Sequence, residues 1–200
     1  VIGNIYQVDE DGYREAFYND PRRTALRARE YLRKTGIAED FIISPEFEFY
    51  LFNSARYNYG STSGGFEIDS EELENRASND SDGASHSLPT AGGYHAPRPG
   101  DGVMDIRNKI VSFLENQGVP VKYHHHEVGG AGESEIEVDF NDLVTGADNT
   151  LYVKHVVRIL AKLSGMSGTF MPKPINEFPG NGMHLHQYLI RDGANLFSGD

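Results

Sequence analysis

The segment FIISPEFEFYLF, residues 41–52, constrains the fold of this chain most. After Pro45 it alternates strictly: Glu46, Glu48 and Tyr50 face one way and Phe47, Phe49 and Leu51 the other, the two-residue period of a β-strand. The aromatic face needs a hydrophobic layer to cover it. The opposite face then carries two neighbouring carboxylates on an otherwise apolar strand, and such a pair needs a reason to be there.

The flanking sequence supplies the rest of a domain. From Asp20, DPRRTALRAREYLRKTG combines an Asp N-cap, Pro at the first helical position and Gly36 just past the end, which predicts a helix over 21–35. Residues 53–93, rich in Asn, Ser, Gly and Asp and without sustained periodicity, read as a long insertion that is partly a hairpin. A second helix is expected over roughly Val103 to Gln117, with Ile106, Ile110, Phe113 and Leu114 as its core stripe. VPVKYHHHEV (119–128) and ESEIEVDF (133–140) read as two strands joined by GGAG, a hairpin-length loop. A third helix, about Ala147 to Ser164, is expected to turn Leu151, Val156, Ile159, Leu160 and Leu163 inward. A short strand, a Pro/Gly loop and a strand from about Gly182 to Ile190 follow. Strands with acids on one face, and helices able to cover only the other, predict an α+β domain: a curved, mostly antiparallel sheet with helices on its outer face.

The chain opens on the strand-like Val1 to Tyr6 without Met and stops in a turn at Phe197 to Asp200, as expected of a piece of a longer protein. Residues 1–19 read as the end of a preceding segment or linker, and 20–200 as part of one domain.

Charge and composition narrow the function. With 18 Lys+Arg against 30 Asp+Glu the formal charge is -12, which disfavours nucleic acid and anionic membranes as partners. No apolar run approaches the roughly 20 residues that span a bilayer. The chain has no cysteine, so disulfides, thiolate catalysis and thiolate metal sites are excluded, which fits a cytoplasmic setting. Any metal would sit on Glu, Asp or His.

Such residues recur in pairs: Glu46 and Glu48, Glu127 and Glu135 flanking the hairpin, and His184 and His186 on the last strand. Carboxylates with imidazole suit Mg²⁺ or Mn²⁺, and apposed carboxylates repel unless a cation joins them. Taken singly, each pair is also what the solvated face of a sheet looks like, and Glu133, Glu135, Glu137 and Asp139 could be the wet side of their strand. The three histidines 124–126 have to split between two faces.

The order of the motifs is more specific. S-P-E-F-E-F, G-G-Y at 92–94, H-H-H-E-V followed by A-G-E-S-E, F-M-P-K-P, G-N-G-M-H-L-H and N-L-F-S-G-D together resemble the successive motifs of the glutamine synthetase catalytic domain, from about Asp20 to Asp200. The resemblance implies a guanido-kinase-like fold and an ATP-dependent glutamate–ammonia ligase in a ring-shaped homo-oligomer, making glutamine through a γ-glutamyl phosphate with two divalent metals, Mg²⁺ or Mn²⁺. It implies Glu48, Glu127 and Glu135 as ligands of one metal and Glu46 and His184 as ligands of the other. It places His125, Phe140 and His186 near the nucleotide and Gly180 at the glutamate pocket. No catalytic group beyond the metal ligands is expected in this segment, and the segment alone is expected to be inactive. The sequence departs from the family pattern at Glu133, where the family has Gln, and at Asn181, Pro179, Tyr188 and Lys122. Two other readings fit the same motifs: a γ-glutamyl ligase using a polyamine or other amine, and a non-catalytic homologue of the same fold.

Overall fold

The computed structural model describes residues 2–73 and 87–198; the part of the expected insertion at 74–86 lies outside the described residues. In chain order the elements are β1 (Tyr6–Val8), β2 (Arg14–Ala16), α1 (Pro21–Thr35), β3 (Asp40–Phe52), β4 (Ser54–Tyr59), β5 (Gly64–Asp69) and α2 (Met104–Asn116). There follow β6 (Val121–His126), β7 (Glu133–Val138), β8 (Asn141–Asp142), α3 (Leu143–Leu163), β9 (Ser167–Thr169), β10 (Met183–Arg191) and β11 (Ala194–Asn195). Among the described residues the main sheet has hydrogen-bonded order β11-β10-β3-β7-β6 with β8 and β9 also on β3, and β1-β2 and β4-β5 form separate hairpins. Strand β3 pairs antiparallel with β7, β8 and β9, as do β6 with β7, β10 with β11, and the strands of both hairpins. The fold class is α+β. Among the described residues no helix is long and apolar enough to cross a membrane.

The chain divides into two compact units. The first comprises 1–45, 140–152 and 185–200. Here α1 begins where the Asp20 carboxylate accepts from the Arg22 N–H at 3.1 Å and ends at Gly36, whose φ of 68° suits a residue without Cβ. Arg22 pairs with Asp148 at 2.9 Å and Arg29 with Asp142 at 3.4 Å, tying α1 to the start of α3. That start, Leu143, precedes the expected Ala147. Asp142 accepts from the N–H groups of Val144 (3.1 Å) and Thr145 (3.3 Å), a cap that adds another turn to the helix.

The second unit comprises 46–139 and 153–184. Phe47, Phe49 and Leu51 are fully buried, as the alternation of β3 requires. Two expected core stripes differ from those observed. Leu151, Ile159 and Leu163 of α3 are exposed, at 60%, 42% and 77%, while Val153, Val156, Val157 and Ala161 are buried. A helix apolar on several sides leaves the choice of inward stripe to its packing partners. Gly168 of β9 supplies that choice here, because a Cβ on it would press against Ala161, with Val157 and Leu51 beside it. On α2, Ile106, Ile110 and Leu114 of the expected stripe are buried, Phe113 is exposed, and Arg107, which the stripe did not include, is buried.

Candidate metal centre

Strand register assembles the acids. Across β3 and β7, Glu46 stands opposite Glu137 and Glu48 opposite Glu135; across β7 and β6, Glu137 stands opposite Tyr123 and Glu135 opposite His125. Like charges directly opposite one another destabilise a sheet, so two adjacent Glu–Glu pairs require a compensating cation. Lys122 supplies one to Glu137, at 2.8 Å. The wet-face reading of β7 is overturned: Glu133, Glu135 and Glu137 are 1%, 6% and 0% exposed.

Glu127 arrives from the turn between β6 and β7, where its own N–H donates to the Glu133 carbonyl at 2.9 Å. Its carboxylate accepts from the Val128 N–H at 2.5 Å; burial, helped by Glu135 and Glu48, nevertheless raises its pKa. His184 comes from the start of β10. Just before it, the Gly182 N–H donates to Glu48 Oε2 at 2.6 Å, and His184 Nδ1 lies 3.1 Å from Glu46 Oε2 and 3.5 Å from Glu48 Oε1.

These five residues line one cavity of about 450 Å³ together with Tyr94, His95, Tyr123, His124 and His125. None of these lining residues is Lys or Arg. His125 joins the acids: its Nε2 is 3.5 Å from Glu135 Oε1, and that contact is the main cause of its raised pKa. Ligand atoms of His125, Glu127 and Glu135 lie within 4.8 Å of one another. The His125 ring also stacks on His95 at 4.3 Å, with Tyr94 edge-on at 5.4 Å. A donor set of carboxylate oxygens and imidazole nitrogens, without thiolate, fits Mg²⁺ or Mn²⁺.

Phe140 and His186 belong to the first unit, where the Phe140 ring packs on Tyr188 at 5.3 Å. Gly180 has a local reason for lacking a Cβ, which differs from the expected approach of a ligand: the atom would run into the Pro172 carbonyl, which accepts from the Asn181 N–H at 2.9 Å. Glu133 accepts from the Gly129 N–H through Oε2 at 2.6 Å, while Oε1 has no partner among the described residues. Burial, reinforced by Glu48 and Glu127 and opposed by that N–H, pushes its pKa up to about 7.

Sequence reasoning missed Tyr123, Tyr94 and His95 at the cavity, and the buried Glu72, Asp101 and Arg107 beside it. Tyr123 shares strand phase with His125, a signal the alternation contained. Nothing in the helical pattern marked Arg107 as a buried residue.

The family profile described as glutamine synthetase, catalytic domain, matches residues 18–200. The chain belongs to the glutamine synthetase family. It is 42% identical over 188 residues to the glutamine synthetase of Vibrio cholerae, covering 93% of this chain and 40% of that relative. It is 38% identical over 195 residues to the glutamine synthetase of Escherichia coli K12, covering 96% and 41%. The fold matches that of a Plasmodium falciparum glutamine synthetase solved by cryo-electron microscopy, with a TM-score of 0.86 at 23% identity over 98% of this chain and 41% of that one. The curved antiparallel sheet is therefore the glutamine synthetase fold. The chain spans about two fifths of the length of these family members.

Proposed function

We propose that this chain supplies part of the active site of an ATP-dependent glutamate–ammonia ligase. The observation that carries this reading is the convergence of Glu46, Glu48, Glu127, Glu135 and His184 on one cavity, in a chain of the glutamine synthetase family. Glu48, Glu127 and Glu135 would hold one divalent metal, and Glu46 with His184 would contribute to a second. Bound there, Mg²⁺ or Mn²⁺ would neutralise and align a phosphoryl group in transfer.

The reaction would pass the γ-phosphoryl group of ATP to the γ-carboxylate of glutamate. Ammonia would then form the C–N bond as phosphate leaves, shedding its proton to water or to a base. The chain's own part is to hold charge in place: the Gly182 N–H fixes Glu48, the Val128 N–H fixes Glu127, and Tyr123 donates to Glu46 at 3.1 Å. Tyr123 keeps its proton, because the Glu137 and Glu46 carboxylates raise its pKa strongly. His125 and the neighbouring His95 present stacked rings suited to a nucleotide, with Phe140, His186 and Gly180 contributing to the nucleotide and glutamate sides. A cytoplasmic ring of identical subunits completes the reading, and the chain alone is expected to make no glutamine.

Mn²⁺ titration followed by ATP titration tests this. Wild type is expected to bind Mn²⁺ and then ATP more tightly, with both responses lost in Glu48→Gln. Wild type that binds Mn²⁺ no better than Glu48→Gln would overturn the reading. In the ring-forming protein, phosphate release dependent on ammonia, and not on polyamines, would separate this ligase from its amine-using relatives.

A further inference from the structure

Beside the acidic cavity, in contact with its His124 and Glu127, lies a buried polar cluster that the proposed reaction does not use. Glu72, Asp101, Arg107 and His126 are each at most 2% exposed. Ligand atoms of Glu72, Asp101 and His126 lie within 4.8 Å of one another, yet the cluster carries its own cation: the Arg107 guanidinium pairs with Asp101 and donates to Ser134 Oγ at 3.2 Å. It is an ion-pair network, and one end of it touches Glu127.

We propose that Glu72 is a positioning residue for the metal centre, acting through His126 on the peptide that orients the Glu127 carboxylate. The proposal rests on the metal reading above. Glu72 follows β5 and is held through its carbonyl and both carboxylate oxygens. Its carbonyl accepts from the Leu88 N–H at 2.9 Å, its Oε1 accepts from the Gly102 N–H at 2.9 Å, and its Oε2 lies 2.9 Å from His126 Nε2. The other ring nitrogen, Nδ1, lies 2.7 Å from the Glu127 carbonyl. A carbonyl only accepts, so Nδ1 carries a proton and donates it there.

That carbonyl and the Val128 N–H belong to one planar peptide, so fixing the first aims the second. The Val128 N–H is the donor that holds Glu127 Oε2 at 2.5 Å. The relay therefore runs from Glu72 through the His126 ring and the Glu127–Val128 peptide to the Glu127 carboxylate. Gly93 closes it from the side: a Cβ there would stand 2.5 Å from the Glu127 carbonyl and 2.6 Å from the ring, and its N–H donates to the Val128 carbonyl at 2.9 Å. The peptide has little room to rotate unless Glu72 lets the ring go.

The test measures Mn²⁺ affinity by calorimetry and by the Mn²⁺ electron paramagnetic resonance signal, in wild type and in Glu72→Ala, Glu72→Gln, Glu72→Asp and Glu127→Ala, with chelator-treated melts checking folding. Glu72→Ala is expected to weaken Mn²⁺ binding about 10- to 100-fold, the usual effect of losing a group that orients a ligand. Glu72→Gln is expected to restore it to within about threefold, because its oxygen still accepts from Gly102 and its amide can donate to His126 Nε2. A purely structural role would lower the melting temperature without moving the affinity of the folded protein. Folded Glu72→Ala that binds Mn²⁺ like wild type overturns the proposal. If that variant does not fold, Glu72→Asp decides: it draws the carboxylate back by one methylene, and unchanged affinity overturns the proposal. Glu127→Ala binding as tightly as wild type, or no binding by wild type, overturns the metal reading and the relay with it.

Discussion

The imidazole Nδ1 of His184 stands 3.1 Å from Glu46 Oε2, across 138 residues of sequence. The His184 side chain is 61% exposed, so this pair adds little stability by itself. Its weight is chemical: it brings a nitrogen donor beside Glu46 and Glu48 at the edge of the cavity, and a divalent cation would bind both.

Mn²⁺ or Mg²⁺ is therefore expected to stabilise the folded chain, by about 2.7 kcal/mol at a hundredfold excess over the dissociation constant. Glu127→Ala should abolish most of the gain and His184→Ala a smaller part, since His184 sits at the exposed edge. Thermal melts with and without Mn²⁺ would show this. Equal metal-induced shifts in wild type and Glu127→Ala would contradict it.

Glu133→Gln is expected to stabilise the metal-free chain at neutral pH by about 1 kcal/mol or more. The carboxyl is buried with one oxygen lacking a partner, and an amide keeps the acceptor for Gly129 while removing a buried ionisable group. Urea unfolding in chelator would measure it. A less stable variant would mean that the Glu133 charge is compensated.

Arg107→Met should cost about 3–5 kcal/mol, because it leaves Asp101 buried without its counter-charge. Adding Asp101→Asn should recover part of the loss. A double variant no more stable than Arg107→Met would show that the two residues do not act as a pair.

Asp142 gives a pH dependence of definite sign. Burial works to raise its pKa, but bonds from Thr145 and Val144 and the Arg29 charge outweigh it, so the folded value lies below the ordinary one. Its stabilising effect is therefore present above the unfolded value near 3.8 and is lost as pH falls through the folded value. Asp142→Ala should cost about 1 kcal/mol at pH 7, and the difference from wild type should vanish in acid. A gap that stays constant down to pH 2 would contradict this.

Local rules determined much of this protein. Helix α1 runs from Pro21 to Thr35 as its Asp cap and Gly36 dictate, because cap and terminus are set by residues within a few positions of one another. The alternation of β3 likewise fixed which side of the strand carries Glu46 and Glu48, and the ordered motifs carried the family. What the tertiary structure alone decided was register and depth. Whether Glu48 faces Glu135, and whether Glu133, Glu135 and Glu137 lie in water or under cover, depends on which strands pair and what packs over them. Sequence period assigns a face but not its neighbour. The inward stripe of α3 was set by Gly168 against Ala161, and the burial of Arg107 by Asp101 and Ser134 waiting opposite it. The contact of Glu72 with His126 joins residues 54 positions apart, a distance that no local periodicity reaches.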